Sequence, residues 1–175
     1  MRLSVSLQPL RALAVLSVVG LLSFLAGCSS IPSGGQSKEA ALAQMRSVDG
    51  VEDAVVSAGG SYSGFTRQSY TLVTVRLSPG FGVARMPGLA TFLARLAWSV
   101  NVEEPNTNVV VGIDETPNAV LKSAFRDAGW DIPPDPGASL VYIPPELVRA
   151  KLGRWPGPVP KVPEGMIVEE TDAGA

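Results

Sequence analysis

The chain has no histidine and only one cysteine in 175 residues. Without imidazole there is no Ser-His-Asp or Cys-His catalysis and no histidine-ligated metal site. A single thiol builds neither a disulfide nor a CxxC motif. Basic charge is also thin, with 14 Lys plus Arg against 16 Asp plus Glu, which argues against nucleic-acid binding, since that depends on counterion release at a basic patch. Aromatic residues make up 6% of the chain, so each large ring is worth locating. Beyond the N-terminal block, no apolar run approaches the roughly 20 residues that a spanning helix needs.

That N-terminal block is the most legible part of the chain. Arg2 and Arg11 are followed by an apolar run from Ala12 to Ala26, broken only by Ser17, Gly20 and Ser23. A charged segment, a short apolar core and a small-residue end read as a cleaved secretory signal, residues 1–27. Leu25-Ala26-Gly27-Cys28 resembles the lipobox of bacterial lipoproteins. The resemblance implies that the Cys28 thiol receives diacylglycerol and that signal peptidase II cuts before it, leaving Cys28 as the acylated first residue of the mature chain. Two acyl chains, at about 0.8 kcal/mol per buried methylene, hold a protein stably on a membrane where one chain does not. The expected location is therefore the extracytoplasmic side of a cell membrane, with membrane lipid as the first partner. Ser29 is not the aspartate that marks inner-membrane retention in such lipoproteins.

Removing 27 residues from 175 leaves 148 and takes away Arg2 and Arg11, so the mature chain carries 12 Lys plus Arg against 16 Asp plus Glu. It divides into a lipidated Cys28 with a flexible tether (28–37), an α/β domain (38–153) and a Pro-rich acidic tail (154–175). The tether is rich in Ser, Gly and Pro. Nine of the 15 prolines fall from Pro133 onward, so the tail is expected to be extended or disordered.

Within the domain, Ser37 caps a helix through about Ser47, with Leu42 and Met45 on one face and Asp49-Gly50 as the stop. Val51–Ala58 and Tyr70–Leu77 read as strands joined by a loop over Gly59–Gly64. A helix follows from Pro87 to Val100, with Leu89, Phe92, Leu93, Leu96 and Val100 on one side. Asn108–Ile113, almost wholly apolar, is a central strand. Thr116-Pro117 starts a helix that turns Val120, Leu121, Ala124 and Phe125 inward and ends at Gly129. Ser139–Ile143 is a short strand, followed by one or two helical turns over Glu146–Leu152.

The order α-β-β-α-β-α-β defines the fold class as α+β, a single small sandwich. It resembles a ferredoxin-like sandwich lacking its opening strand, and Asp49-Gly50-Val51 running into a hairpin is similar to heavy-metal-associated domains and to envelope domains of the BON type. Heavy-metal-associated domains bind metal through a CxxC loop. This region has no cysteine, so the likeness implies no metal and no cofactor here.

Several groups invite a chemical reading. Glu52-Asp53, Glu103-Glu104 and Asp114-Glu115 are paired carboxylates, suited either to acid–base work or a hard cation, or to solvated turns and helix starts; the second is preferred because each pair sits at a turn. The Gly59–Gly64 stretch lacks the Gly-Lys-Ser/Thr end of a phosphate loop and the GxSxG of a nucleophile elbow. Lys122 and Ser123 are helix neighbours that face different ways. Trp98 falls nearly opposite the apolar stripe of its helix, with Thr91, Ala94 and Arg95 near it. These four residues form either a partner-binding patch or a surface covered by the C-terminal segment with Trp130 or Trp155, and covering is the preferred reading.

With no convergent catalytic set, the leading expectation is a non-enzymatic protein-interaction module on a membrane-anchored envelope lipoprotein, partnered by another envelope protein. The alternative is a small-ligand or ion-binding lipoprotein of a transport or sensing system. A carboxylate-only enzyme has no spacing to support it.

Overall fold

Ten short elements account for most of the chain described by the computed structural model, which covers residues 34–133 and 140–170. Residues 1–27, Leu25, Ala26, Gly27 and the lipidation candidate Cys28 lie outside the described residues, as does Ser139.

The first helix, α1 (Lys38–Arg46), begins where the sequence places it. The Ser37 Oγ accepts from the Ala40 amide at 3.1 Å, and Ala41 and Met45 are buried. Strands β1 (Val51–Ser63) and β2 (Thr66–Leu77) then form one long hairpin. The loop expected over Gly59–Gly64 is instead a strand arm, with Gly59 opposite Tyr70 and Ser63 opposite Thr66. Two glycines weaken a strand without forbidding the extended backbone, and cross-strand pairing holds them here. The reversal is confined to Gly64-Phe65. Gly64 takes φ +61°, the positive value that the first central position of a II′ hairpin turn requires.

A short strand β3 (Phe81–Val83) precedes helix α2 (Met86–Ser99), which carries Pro87 in its first turn. Then come β4 (Asn108–Ile113), α3 (Asn118–Asp127), β5 (Val141–Ile143), α4 (Pro145–Leu152) and β6 (Ile167–Glu169). The main sheet has the order β1-β2-β4-β5, in which β2 and β4 run parallel and the other neighbours antiparallel. The β2-α2-β4 segment is therefore a crossover unit, for which a helix is the usual connection. Strands β3 and β6 make a separate antiparallel pair. The protein is a mixed α+β fold, a four-stranded sheet with helices packed on one face, and so a small α/β sandwich.

Alternation along the strands shows which face holds the core. Ala54, Val73, Val75, Val109, Val111, Ile113, Val141 and Ile143 are buried with the apolar side chains of α1, α2, α3 and α4. Helix α2 is central, buried over nearly its whole circumference with Arg95 as its one charged residue. A helix apolar all round belongs in a core.

Two expectations need correction and a third is narrowed. Thr116 does not cap α3: its amide donates to the Ile113 carbonyl at 3.1 Å, within a tight turn, and the helix starts behind Pro117 with no side-chain cap. Val120 is 46% exposed and only Leu121, Ala124 and Phe125 turn inward, the buried arc being the narrower i, i+3, i+4 set. The tail beyond Gly153 takes the extended form of its two expected alternatives, not the disordered one, and packs on the domain as far as Glu170. Met166 and Ile167 are buried in the core, the Gln44 side-chain amide donates to the Pro160 carbonyl, and β6 closes on β3.

Candidate functional site

Trp98 belongs to the interior. Its indole is fully buried, Nε1 donates to the Gly153 carbonyl at 3.1 Å, and its own carbonyl accepts from the Gly157 amide at 3.0 Å. Ala94 is buried as well, Thr91 is partly covered, and Arg95 alone is exposed. Trp98, Arg95, Thr91 and Ala94 therefore do not make an open patch. The C-terminal segment lies over Trp98 and beside Arg95, and Trp155 joins through Nε1 to the Val100 carbonyl at 3.2 Å. Trp130 is engaged elsewhere, edge-on to Phe125 with ring centroids 5.5 Å apart. Arg95 lines an open cleft of about 430 Å³ with Lys151, Lys161 and the Pro158-Val159-Pro160 run.

Each carboxylate pair contributes to a surface ion pair. Asp53 meets Arg46 at 3.0 Å, Asp114 meets Arg76 at 2.9 Å and Glu104 meets Arg149 at 2.6 Å. Glu103 takes both ends of the Arg67 guanidinium, at 2.5 and 2.6 Å. That hydrogen bonding holds the Glu103 carboxyl below its ordinary pKa, and the Arg46 hydrogen bond does the same for Asp53. Among the described residues, no group of three or more His, Cys, Asp or Glu is arranged to hold a metal ion.

Two surfaces are unpartnered among the described residues. The first is the sheet face opposite the helices. The register sets Ser57, Leu72, Val110 and Tyr142 in one row, and Val55, Thr74 and Gly112 in the next. Leu140 fills the space above Gly112. Val55, Tyr70 and Tyr142 on this face are 48%, 42% and 40% exposed. Along one margin Asp53, Arg76 and Asp114 form a charged row. An apolar centre with a polar margin is the anatomy of a protein interface.

The second surface is the hairpin tip. Strand β4 accompanies β2 only from Tyr70 to Val75, so the four pairs from Gly60–Ser69 to Ser63–Thr66 stand beyond the sheet. Tyr62 is 69% exposed and Phe65 fully so. The arm is braced at its base: the Ser69 Oγ donates to the Glu104 carbonyl at 2.7 Å and the Ser69 amide to Asn106 Oδ1 at 2.8 Å. Further out, Arg67 is fixed to Glu103 and lies over the Tyr62 ring, 5.4 Å from its centroid.

Sequence reasoning missed both surfaces. The alternation of Leu72, Thr74 and Arg76 against Val73, Val75 and Leu77 was visible, but a single strand does not say which of its faces is covered. The protruding arm was hidden by reading Gly59-Gly60 as a break. The geometry defines a small α+β domain without a convergent catalytic set among the described residues. No protein-family model, no curated protein and no solved structure matches the chain. No helix among the described residues is long and apolar enough to cross a membrane.

Proposed function

We propose that this chain is a lipid-anchored lipoprotein of the bacterial cell envelope, held by acylated Cys28, whose small α+β domain is a non-enzymatic module that docks another envelope protein. The docking surface is the helix-free face of the sheet. One observation carries the reading: Val55, Tyr70 and Tyr142 stand exposed, with half-buried Leu72, around the buried Val110 on a face that no described helix packs against. Exposed apolar side chains grouped on one face mark interaction sites. The Asp53-Arg76-Asp114 row at its margin supplies charge that sets orientation.

The test is photo-crosslinking in cells with the reactive group at Ser57, on the open face, compared with Arg126, exposed on α3. A discrete protein adduct from Ser57 and none from Arg126 is expected. Equal capture at both positions, or none at either, overturns the docking role of this face.

A further inference from the structure

The projecting hairpin and the start of the described chain share one end of the domain. Gln36 donates its amide to the Ser99 carbonyl at 2.7 Å and accepts from the Asn101 amide at 2.9 Å, and the Asn101 side chain reaches the Gly34 carbonyl at 3.2 Å. Two residues further on, Glu103 grips Arg67 of the hairpin. The segment 99–106 thus joins the point where the chain enters the domain to the base of the arm.

Lengths agree as well. Four residue pairs beyond the sheet, at about 3.4 Å each, carry Phe65 roughly 13 Å outward. The six residue steps from Gly34 back to Cys28 span at most about 20 Å. A bilayer that holds acyl chains on Cys28 is therefore within reach of the tip. Phe65 and Tyr62 suit such a surface, since aromatic rings with a polar neighbour partition to the headgroup boundary. The arm itself carries little charge: no Asp or Glu occurs between Asp53 and Glu103, its one ionic group, Arg67, is paired with Glu103, and Glu104 is paired with Arg149. Glu52, Asp114, Glu115 and Glu170 gather instead around a cleft at the opposite end of the strands.

We propose that the hairpin tip, Phe65 with Tyr62, is a second membrane contact that rests in the headgroup region of the bilayer and fixes how the domain stands on it. The proposal rests on the lipid-anchor reading. A lipid and a braced aromatic wedge together fix an orientation, where a single point of attachment leaves the domain free to tumble. In that orientation the strands run away from the membrane and the open sheet face stands to the side, accessible to a neighbouring protein.

The test uses the lipidated mature protein in vesicles of phosphatidylethanolamine and phosphatidylglycerol. Because the thiol of Cys28 is consumed by lipid, Thr66→Cys and Glu169→Cys each present one labelling site for a bimane fluorophore. Quenching by lipids bearing a nitroxide near the headgroup is expected at position 66 and not at 169, and adding Phe65→Ser to the Thr66→Cys protein should reduce it at least threefold. Phe65 touches no core residue, so the Ser variant keeps its melting temperature. Protein that floats with the vesicles but shows no quenching at position 66 overturns the hairpin contact and leaves the anchor intact. Protein that does not float overturns both. Absence of lipid contact together with crosslinking of the tip to a protein in cells would reassign it as a protein-docking wedge.

Discussion

Gly157 presses so closely on Trp98 that a β-carbon at that position would stand 2.9 Å from the indole Cδ1. The contact is one of several that make the proline-rich segment part of the fold. It also fixes the sign of a substitution. Gly157→Ala forces the segment or the indole to shift, and overpacking of this kind costs about 1–3 kcal/mol. Urea denaturation of the mature protein should show a lower midpoint at unchanged slope.

Removing the segment altogether should expose what it covers. A chain ending at Gly153 loses Met166 and Ile167 from the core and uncovers Trp98. Acrylamide should quench its fluorescence more strongly than in the full chain, with a red-shifted emission maximum. Equal quenching would mean that Trp98 is shielded by something other than this segment.

The Ser37 cap supplies a local test. Its Oγ satisfies the otherwise orphaned amide of Ala40, and Ser37→Ala should destabilise the protein by about 1 kcal/mol, read from thermal or chemical unfolding. Asp at the same position should preserve stability, since it offers an equivalent acceptor. A similar loss with Asp would show that the cap is not the source of the effect.

The hairpin arm should respond to acid. Hydrogen bonds from Arg67 hold the Glu103 carboxyl below its ordinary pKa, so the pairing is fully present above the usual glutamate value of about 4.3 and is lost as pH falls through the lower folded value. Amide exchange across residues 60–68 should be flat from neutral pH to about 5, once corrected for intrinsic rates. It should accelerate in more acid solution. In Arg67→Gln the acid step should vanish, with exchange already fast at neutral pH, and an unaltered step would remove Glu103 as its cause.

Membrane association should depend on one sulfur. Cys28→Ala should leave either an unprocessed precursor or a protein released from the membrane fraction, as judged by mature size and fractionation. Unaltered size together with unaltered association would dispose of the anchor.

Much of the architecture was legible because it rests on local signals. Ser37 before a helical pattern, Pro87 at a helix start, the apolar run Asn108–Ile113 and Gly129 at a helix end each mark an element whose conformation is favoured by its own residues. Thr116 failed as a cap because the tight turn at Asp114-Glu115, where Glu115 takes φ +62°, uses its amide and delays the helix. Trp98 was placed by angle against a single stripe, which presumes a helix with one buried side. The one charge in fourteen residues of α2 was the available sign that both sides are covered.

What the sequence determined by itself was the helices and the four strands of the main sheet, though not β3, β6 or the outer hairpin arm, together with the absence of imidazole and paired thiol and the Leu25–Cys28 pattern, since each depends on residue identity and near neighbours. The tertiary structure alone decided three things: that Gly153–Glu170 covers α2, that one sheet face stays free of described elements, and that the Phe65 tip projects from the end where the chain enters the domain. Each of these brings together residues far apart in the chain. Such contacts are set by which surfaces meet when the core closes, and no local propensity encodes that meeting.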